Sequence, residues 1–171
     1  MNDISVPVAL ARKSLEYYLT KGEIMRAPDN ANEMLLGKAG VFVSLKKNGE
    51  LRGCIGTFQS TQPTIAAEII QNAVSAAIDD PRFSPVRSHE LPGLTITVDI
   101  LSSPEQVDSL AELDPKKYGV VVRCGRRSGL LLPDLEGVNS IGEQVSIARQ
   151  KAGIGPGEEI ELYRFTVTRY K

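Results

Sequence analysis

Apolar residues recur along the chain at two spacings, which separate helices from strands. A recurrence every three or four positions predicts an amphipathic helix, and a recurrence every second position predicts a half-buried strand. Helices are predicted over residues 5–21, 60–78 and 140–153, and each begins at a serine suited to an N-cap. Gly22 and Gly153 follow the first and the last of these helices as stop signals. The second helix has the widest apolar face and is expected to be the most buried.

Alternating segments predict strands that pair as hairpins. Asn48-Gly49 separates two such segments, and Asn-Gly is a strong signal for a tight hairpin turn. A second hairpin is predicted to turn at residues 125–128, and a long final strand contains one irregularity. The predicted strands are residues 41–46, 51–57, 94–101, 118–124, 129–132 and 160–170.

Helices and strands mix without the regular alternation that a parallel sheet requires, and hairpins dominate. The pattern therefore predicts an α+β fold, with largely antiparallel sheets packed against about three main helices. The chain of 171 residues suits a single domain, 1–171, with one lobe or two.

Composition and charge argue against several classes of function and of binding site. A net charge of −1 gives no overall attraction to nucleic acid or to an acidic membrane. The two cysteines, Cys54 and Cys124, and the single His89 lack the spacings of zinc, iron–sulfur or thioredoxin-type sites. Residues 1–5 lack the basic start of a signal peptide, and no apolar run approaches the roughly 18 residues of a membrane span. These features predict a cytoplasmic protein without a bound metal.

The predicted strand Leu51–Thr57 contains the residues best suited to catalysis or ligand binding. Gly53 and Gly56 flank Cys54, and glycine inside a strand is typical of a close approach by a backbone or a ligand. On a regular strand Arg52, Cys54 and Gly56 share one face, which would place a cation beside the thiol. Such a cation favours the reactive thiolate. Cys54 is accordingly a candidate nucleophile or ligand contact, and the alternative is a small packed side chain.

A second candidate segment follows the second helix. Two carboxylates at a helix C-terminus oppose the helix dipole, so Asp80 needs a compensating partner, either an Asx turn or an ion pair with Arg82, or else a bound ligand. Two groups of arginines would suit a phosphate or carboxylate if they face one cleft, and the alternative is ordinary ion pairing with the acidic residues. The groups are Arg52, Arg82 and Arg87, and Arg123, Arg126 and Arg127 at the second hairpin turn. Arg126 and Arg127 favour ordinary ion pairs, and the loop residue His89 favours exposure to solvent.

Four segments together resemble the AMMECR domain family, named for a chromosomal region linked to Alport syndrome, midface hypoplasia and elliptocytosis. The resemblance spans nearly the whole chain, and its most specific part is Leu51–Thr57 with Asp80–Val86 behind it. The segments are Leu10–Glu16, Leu51–Thr57, Asp80–Val86, and Gly129–Pro133 followed by Lys151–Gly153.

The resemblance implies a larger and a smaller lobe with a cleft between them, and partners among Memo-like proteins and radical SAM enzymes. We therefore expect a catalytic or accessory component that binds a small anionic substrate, and no cofactor is predicted or excluded. Cys54 and Arg52 are the catalytic candidates, and the second hypothesis is a non-catalytic protein-interaction module. RNA binding is the weakest alternative, because aromatic residues make up only 5% of the chain. The candidate ligand-binding residues are Gly53, Gly56, Asp80, Arg82 and Phe83.

Overall fold

A computed structural model describes residues 4–171 of the chain. Residues 1–3, on which the expectation about a signal peptide partly rests, lie outside the described residues. The chain divides into two compact units, one formed by residues up to Ile100 together with Thr168–Lys171, and the other by Leu101–Val167. Both units combine helices with antiparallel sheet, so the predicted α+β class is confirmed.

The regular elements begin and end close to the predicted positions. In chain order they are α1 (Val6–Lys21), β1 (Val41–Lys47), β2 (Glu50–Thr57), α2 (Ile65–Ile78), β3 (Leu94–Leu101), β4 (Glu105–Val107), β5 (Gly119–Cys124), β6 (Arg127–Leu131), α3 (Ile141–Ala152), β7 (Glu161–Phe165) and β8 (Val167–Tyr170). Short 3₁₀ helices occupy Glu33–Leu35, Ser88–Gly93 and Leu110–Glu112.

The first unit contains a four-stranded sheet in the order β2-β1-β3-β8. β1 pairs antiparallel with both β2 and β3, so that Val43 lies opposite Ile55 on one side and Val98 on the other. Buried apolar residues of α1, α2 and the sheet form one core, and Leu15 and Ile69 are fully enclosed in it. α2 is the most apolar helix, as its wide apolar face predicts.

The β1–β2 hairpin and the end of α1 confirm the turn signals in the sequence. Asn48 and Gly49 both adopt positive φ, 52° and 82°, which the tight turn requires. Gly22 ends α1 at φ 73° and donates its backbone N–H to the carbonyl of Tyr18.

The predicted start of α2 is wrong, because the residues before it have another partner. Thr64, and not Ser60, caps the helix, and its side chain accepts a hydrogen bond from the N–H of Ala67. The segment from Ser60 to Gln62 instead folds around the carboxylate of Glu68, which is fully buried. Burial by itself raises the pKa of Glu68, but hydrogen bonds from hydroxyl and backbone groups outweigh it and lower the pKa.

The second unit contains the sheet β4-β7-β5-β6 and helix α3. β5 and β6 form the second predicted hairpin, and Ser140 and Glu143 form the predicted capping box. The predicted final strand is wrong as a single element, because an interruption at Thr166 separates β7, in this sheet, from β8, in the sheet of the first unit. β4 was not predicted, since three residues are too few to show alternation.

No helix within residues 4–171 is both long enough and apolar enough to cross a membrane.

Candidate functional site

A β-bulge in β2 changes the geometry predicted for the motif strand. The register shifts between Leu45 and Lys46 of β1, and Arg52 is left without an opposite residue. The regular strand assumed in predicting that Arg52 shares a face with Cys54 and Gly56 is therefore interrupted at Arg52, because a bulge breaks the alternation of side chains. The adjacent Gly53 is the signal in the sequence, since glycine inside a strand often marks a bulge or a close backbone approach.

The two motif glycines make room for groups of the protein itself. A Cβ atom on Gly53 would lie 2.1 Å from the backbone carbonyl oxygen of Ala76, so α2 packs directly on the strand backbone. A Cβ atom on Gly56 would lie 2.1 Å from the ring of Phe42. Both glycines thus have a packing role, since only a residue without a side chain permits these contacts.

The thiol of Cys54 is partly buried beside a hydroxyl group. Its sulfur lies 3.2 Å from Oγ of Ser44, which is the residue opposite it on β1. The backbone N–H of Cys54 donates a hydrogen bond of 2.9 Å to Oδ2 of Asp80. The motif strand is therefore fixed to the segment that follows α2 through its backbone.

Asp80 is the buried partner of Arg82, as one alternative for this segment predicted. Its carboxylate accepts hydrogen bonds from Nε and Nη2 of Arg82 at 3.0 and 2.7 Å, and one from the Arg82 backbone N–H at 3.1 Å. The Arg82 hydrogen bond, which outweighs the effect of burial, holds the pKa of Asp80 well below its usual range. Arg82 itself is half-exposed and lies over the ring of Phe83, 5.5 Å from its centroid.

Glu90 accepts hydrogen bonds from the basic side chains of the β1–β2 hairpin. Arg52 donates two hydrogen bonds of 3.1 Å to its two oxygens, and Lys47 donates a third of 3.1 Å. The backbone N–H of Arg87 adds a fourth, and Nη1 of Arg52 also reaches the carbonyl oxygen of Ser84 at 2.9 Å. The side chains of Arg52 and Glu90 are only 15% and 10% exposed. The hydrogen bonds from Arg52 are the main reason that the pKa of Glu90 falls to about 2.

A pocket of about 370 Å³ opens beside this cluster. Arg52 and the exposed side chains of Arg87 and His89 border it, while its one carboxylate, Glu90, is already bonded to two cations. The pocket therefore presents an excess of positive charge. Its lining residues are Arg52, Phe83, Ser84, Pro85, Arg87, His89 and Glu90.

The structure brings only part of the predicted site to this pocket. Arg52 and Phe83 line it. The remaining predicted residues are close to these two in the sequence but do not line the pocket. Those residues are Gly53, Cys54, Gly56, Asp80 and Arg82. The sequence did not predict a role in the pocket for Ser84, Pro85 or Glu90. For Glu90 a signal was present, because it lies three residues after Arg87 at the start of a helical turn.

The second thiol belongs to an ion pair in the other unit. Arg127 pairs with Glu158, as predicted, and its Nη2 lies 3.6 Å from the sulfur of Cys124. The same prediction is wrong for Arg126, which makes no ion pair with the residues that the structure describes. Arg127 also donates to the carbonyl of Gly153, which fixes the hairpin to the end of α3. Within residues 4–171, no group of three or more His, Cys, Asp and Glu side chains is placed to hold a metal ion.

Comparisons with known proteins agree on one family. The sequence profile of the AMMECR1 family matches residues 8–170. A protein from Thermotoga maritima is 50% identical over 167 residues, with 96% of each chain aligned. The protein CA_C1420 from Clostridium acetobutylicum is 52% identical over 96% of this chain, which corresponds to only 35% of that longer protein. The crystal structure of the uncharacterised protein PH0010 from Pyrococcus horikoshii superposes with a TM-score of 0.84 at 32% identity, and the match covers 95% of this chain and 88% of that one. The chain belongs to the AMMECR1 family.

Proposed function

We propose that the pocket beside Arg52 binds the carboxylate or phosphate group of a small molecule, and that the protein serves as the ligand-binding component of a reaction shared with a partner. The observation that carries this proposal is the arrangement of Arg52, Arg87 and His89 around a pocket whose only carboxylate is neutralised by Arg52 and Lys47. Guanidinium groups bind both anions through paired hydrogen bonds.

Arg52 and Arg87 would contribute in different ways. Arg52 is held by Glu90 and by the carbonyl of Ser84, so it supplies a fixed positive wall. Arg87 is exposed at the rim, while its backbone N–H is held by Glu90. Because the backbone is already fixed, the entropic cost of receiving an anion comes mainly from ordering the exposed Arg87 side chain.

The position of Cys54 favours binding over thiol catalysis at this pocket. Its sulfur faces Ser44, and Cys54 is not one of the lining residues. Arg52, which was proposed to activate this thiol, gives its hydrogen bonds to Glu90 and Ser84 instead. In this proposal Cys54 supports the strand, and an attached or separate partner supplies the catalytic groups.

We also propose Memo-like and radical SAM proteins as partners, from the family resemblance. One further observation supports joint action: this chain corresponds to about a third of the length of its Clostridium acetobutylicum relative, so a domain of this kind does occur joined to additional sequence. Co-purification of the protein with each candidate partner from the same organism, in the presence and absence of phosphate, tests this part separately.

Isothermal titration calorimetry with inorganic phosphate and with acetate tests the binding proposal. We expect millimolar or tighter binding that weakens as NaCl is raised, because ionic contacts are screened by salt. Replacing Arg87 with glutamine should weaken binding about tenfold, the loss expected for one charge-assisted hydrogen bond. The matched control is Arg126→Gln, which removes an equally exposed arginine from the second unit. Equal affinities in both variants would overturn the proposal.

A further inference from the structure

The extended segment Ser84–Arg87 separates two pockets and contributes to both. The first is the cationic pocket described above, and the second has a volume of about 390 Å³. Ser84, Pro85 and Arg87 line both pockets, so the two adjoin along this segment. The second pocket is lined by Leu19, Ser84, Pro85, Val86, Arg87 and Ser88.

The segment between the pockets is held by bonds at successive positions. The carbonyl of Ser84 accepts a hydrogen bond from Arg52, and the N–H of Val86 donates one of 2.8 Å to the carbonyl of Ala77 at the end of α2. The N–H of Arg87 donates to Glu90. Pro85, between them, has no N–H to satisfy, and its ring restricts the backbone. Both pockets are therefore formed before any ligand arrives.

The two pockets differ in chemistry. Arg52, Arg87 and Glu90 supply three charged groups to the first, whereas Arg87 supplies the only charged side chain of the second. Leu19, Pro85 and Val86 give the second pocket an aliphatic surface, with Leu19 partly exposed and Val86 largely covered. The cationic pocket thus adjoins a partly apolar one, with Arg87 at the boundary.

We infer that the two pockets bind one ligand, a carboxylate attached to a short aliphatic group. This inference rests on the proposed anion binding and specifies its ligand class. The carboxylate lies against Arg87 and the wall formed by Arg52, and the aliphatic group crosses Pro85 to contact Leu19. A free aliphatic acid and the C-terminal leucine of a peptide share this chemistry, and the test separates these two sources.

Calorimetric titrations with acetate and isocaproate measure the contribution of the aliphatic group. We expect isocaproate to bind about tenfold more tightly than acetate, because burial of part of its additional apolar surface favours binding. Leu19→Ala should remove most of that difference. Tyr17→Ala, on the same helix but outside this pocket, is the matched control. Pro85→Ser provides a second variant that does not alter the helix.

The outcomes separate this inference from the proposed function. Equal, Arg87-dependent binding of acetate and isocaproate would overturn the inference and leave the anion site intact, whereas no binding of acetate, isocaproate or phosphate would overturn both. A tetrapeptide ending in leucine that binds more tightly than isocaproate identifies a protein C-terminus as the source, and the reverse order identifies a free acid. Undiminished binding of the same peptide with an amidated C-terminus would contradict carboxylate recognition.

Discussion

Arg52 and Glu90 form a two-point ion pair across 38 residues of the chain, with both hydrogen bonds at 3.1 Å. The pair connects the bulge of β2 to the helical turn before β3, and the same arginine holds the carbonyl of Ser84. A bulge redirects one side chain without interrupting the rest of a strand. Here that side chain both positions the segment beside the pocket and supplies part of its positive charge.

The Arg52–Glu90 pair predicts a loss of stability in acid. Arg52 lowers the pKa of Glu90 from the usual 4.5 to about 2, so the ionised carboxylate stabilises the folded state above the unfolded pKa. That contribution should disappear as the pH falls from about 4.5 to 2, and the lowered pKa of Asp80 acts in the same direction. Urea denaturation of the wild type and of Glu90→Gln at several pH values measures the difference.

The Glu90→Gln variant should also be less stable at pH 7, by about 2 kcal/mol, because a largely buried arginine then lacks its charged partner. Its unfolding free energy should vary less between pH 4.5 and 2 than that of the wild type. Glu136→Gln, an exposed position in the second unit, is the control. Parallel pH profiles for the wild type and Glu90→Gln would show that the ion pair contributes nothing.

Gly53→Ala should be severely destabilising. The new methyl group would lie 2.1 Å from the carbonyl oxygen of Ala76, and a helix backbone cannot rotate away as a flexible side chain could. Overpacking in a core costs about 1–3 kcal/mol, and we expect the upper end of that range or more. Gly93→Ala, where no atom lies within 4 Å of the new methyl group, should be close to neutral. Equal urea midpoints for the two variants would contradict this close contact between β2 and α2.

The reactivity of Cys54 should respond to Arg82 more than to Arg52. The pKa of Arg82 is raised by its hydrogen bonds with Asp80 and, to a smaller extent, by the nearby sulfur of Cys54. Arg82→Gln removes the group that holds Asp80, which accepts the backbone N–H of Cys54, and should speed iodoacetamide labelling of the partly buried Cys54 about threefold at fixed pH, because the strand is then held less firmly. Labelling is measured with Cys124 replaced by serine.

Arg52→Gln is the comparison for that experiment, because the hydrogen bonds of Arg52 go to Glu90 and Ser84. Slower labelling in the Arg52 variant, without faster labelling in the Arg82 variant, would instead favour Arg52 as the residue that activates the thiol.

Local signals in the sequence were sufficient for most elements. The positive φ values at Asn48 and Gly49, and the capping box of Ser140 and Glu143, follow from residues that are adjacent or three apart. Such signals act within a single turn, so a pattern of residue types reveals them. The hairpins and the ends of α1 and α3 could therefore be predicted closely.

Contacts between distant segments account for what the sequence did not predict. The segment from Ser60 to Gln62 binds the carboxylate of Glu68 and does not form the first turn of the helix. No local pattern in the sequence shows that this carboxylate is buried. The pairing of Asp99 with Arg169, 70 residues apart, is hidden in the same way. At the candidate site a bulge interrupts the strand at Arg52, and the adjacent Gly53 does not by itself distinguish a bulge from a close backbone approach.

The two units contain a similar close contact that their sequences do not make obvious. In each unit a hairpin precedes a helix, and a glycine of the second hairpin strand meets an alanine carbonyl of that helix. Gly53 faces Ala76, and a Cβ atom on Gly129 would lie 2.0 Å from the carbonyl oxygen of Ala148. The glycines of the motif strand are therefore explained first by packing.

The most direct test of the anion site is an NMR titration of the ¹⁵N-labelled protein with inorganic phosphate and with acetate. We expect saturable chemical-shift changes at the backbone amides near the pocket and none at the amide of Arg126. The affected residues should be Ser84, Arg87, His89 and Glu90. These shifts should be lost in Arg87→Gln. Shifts spread over both units without saturation, or centred on residues away from this pocket, would contradict the assignment of the pocket as an anion-binding site.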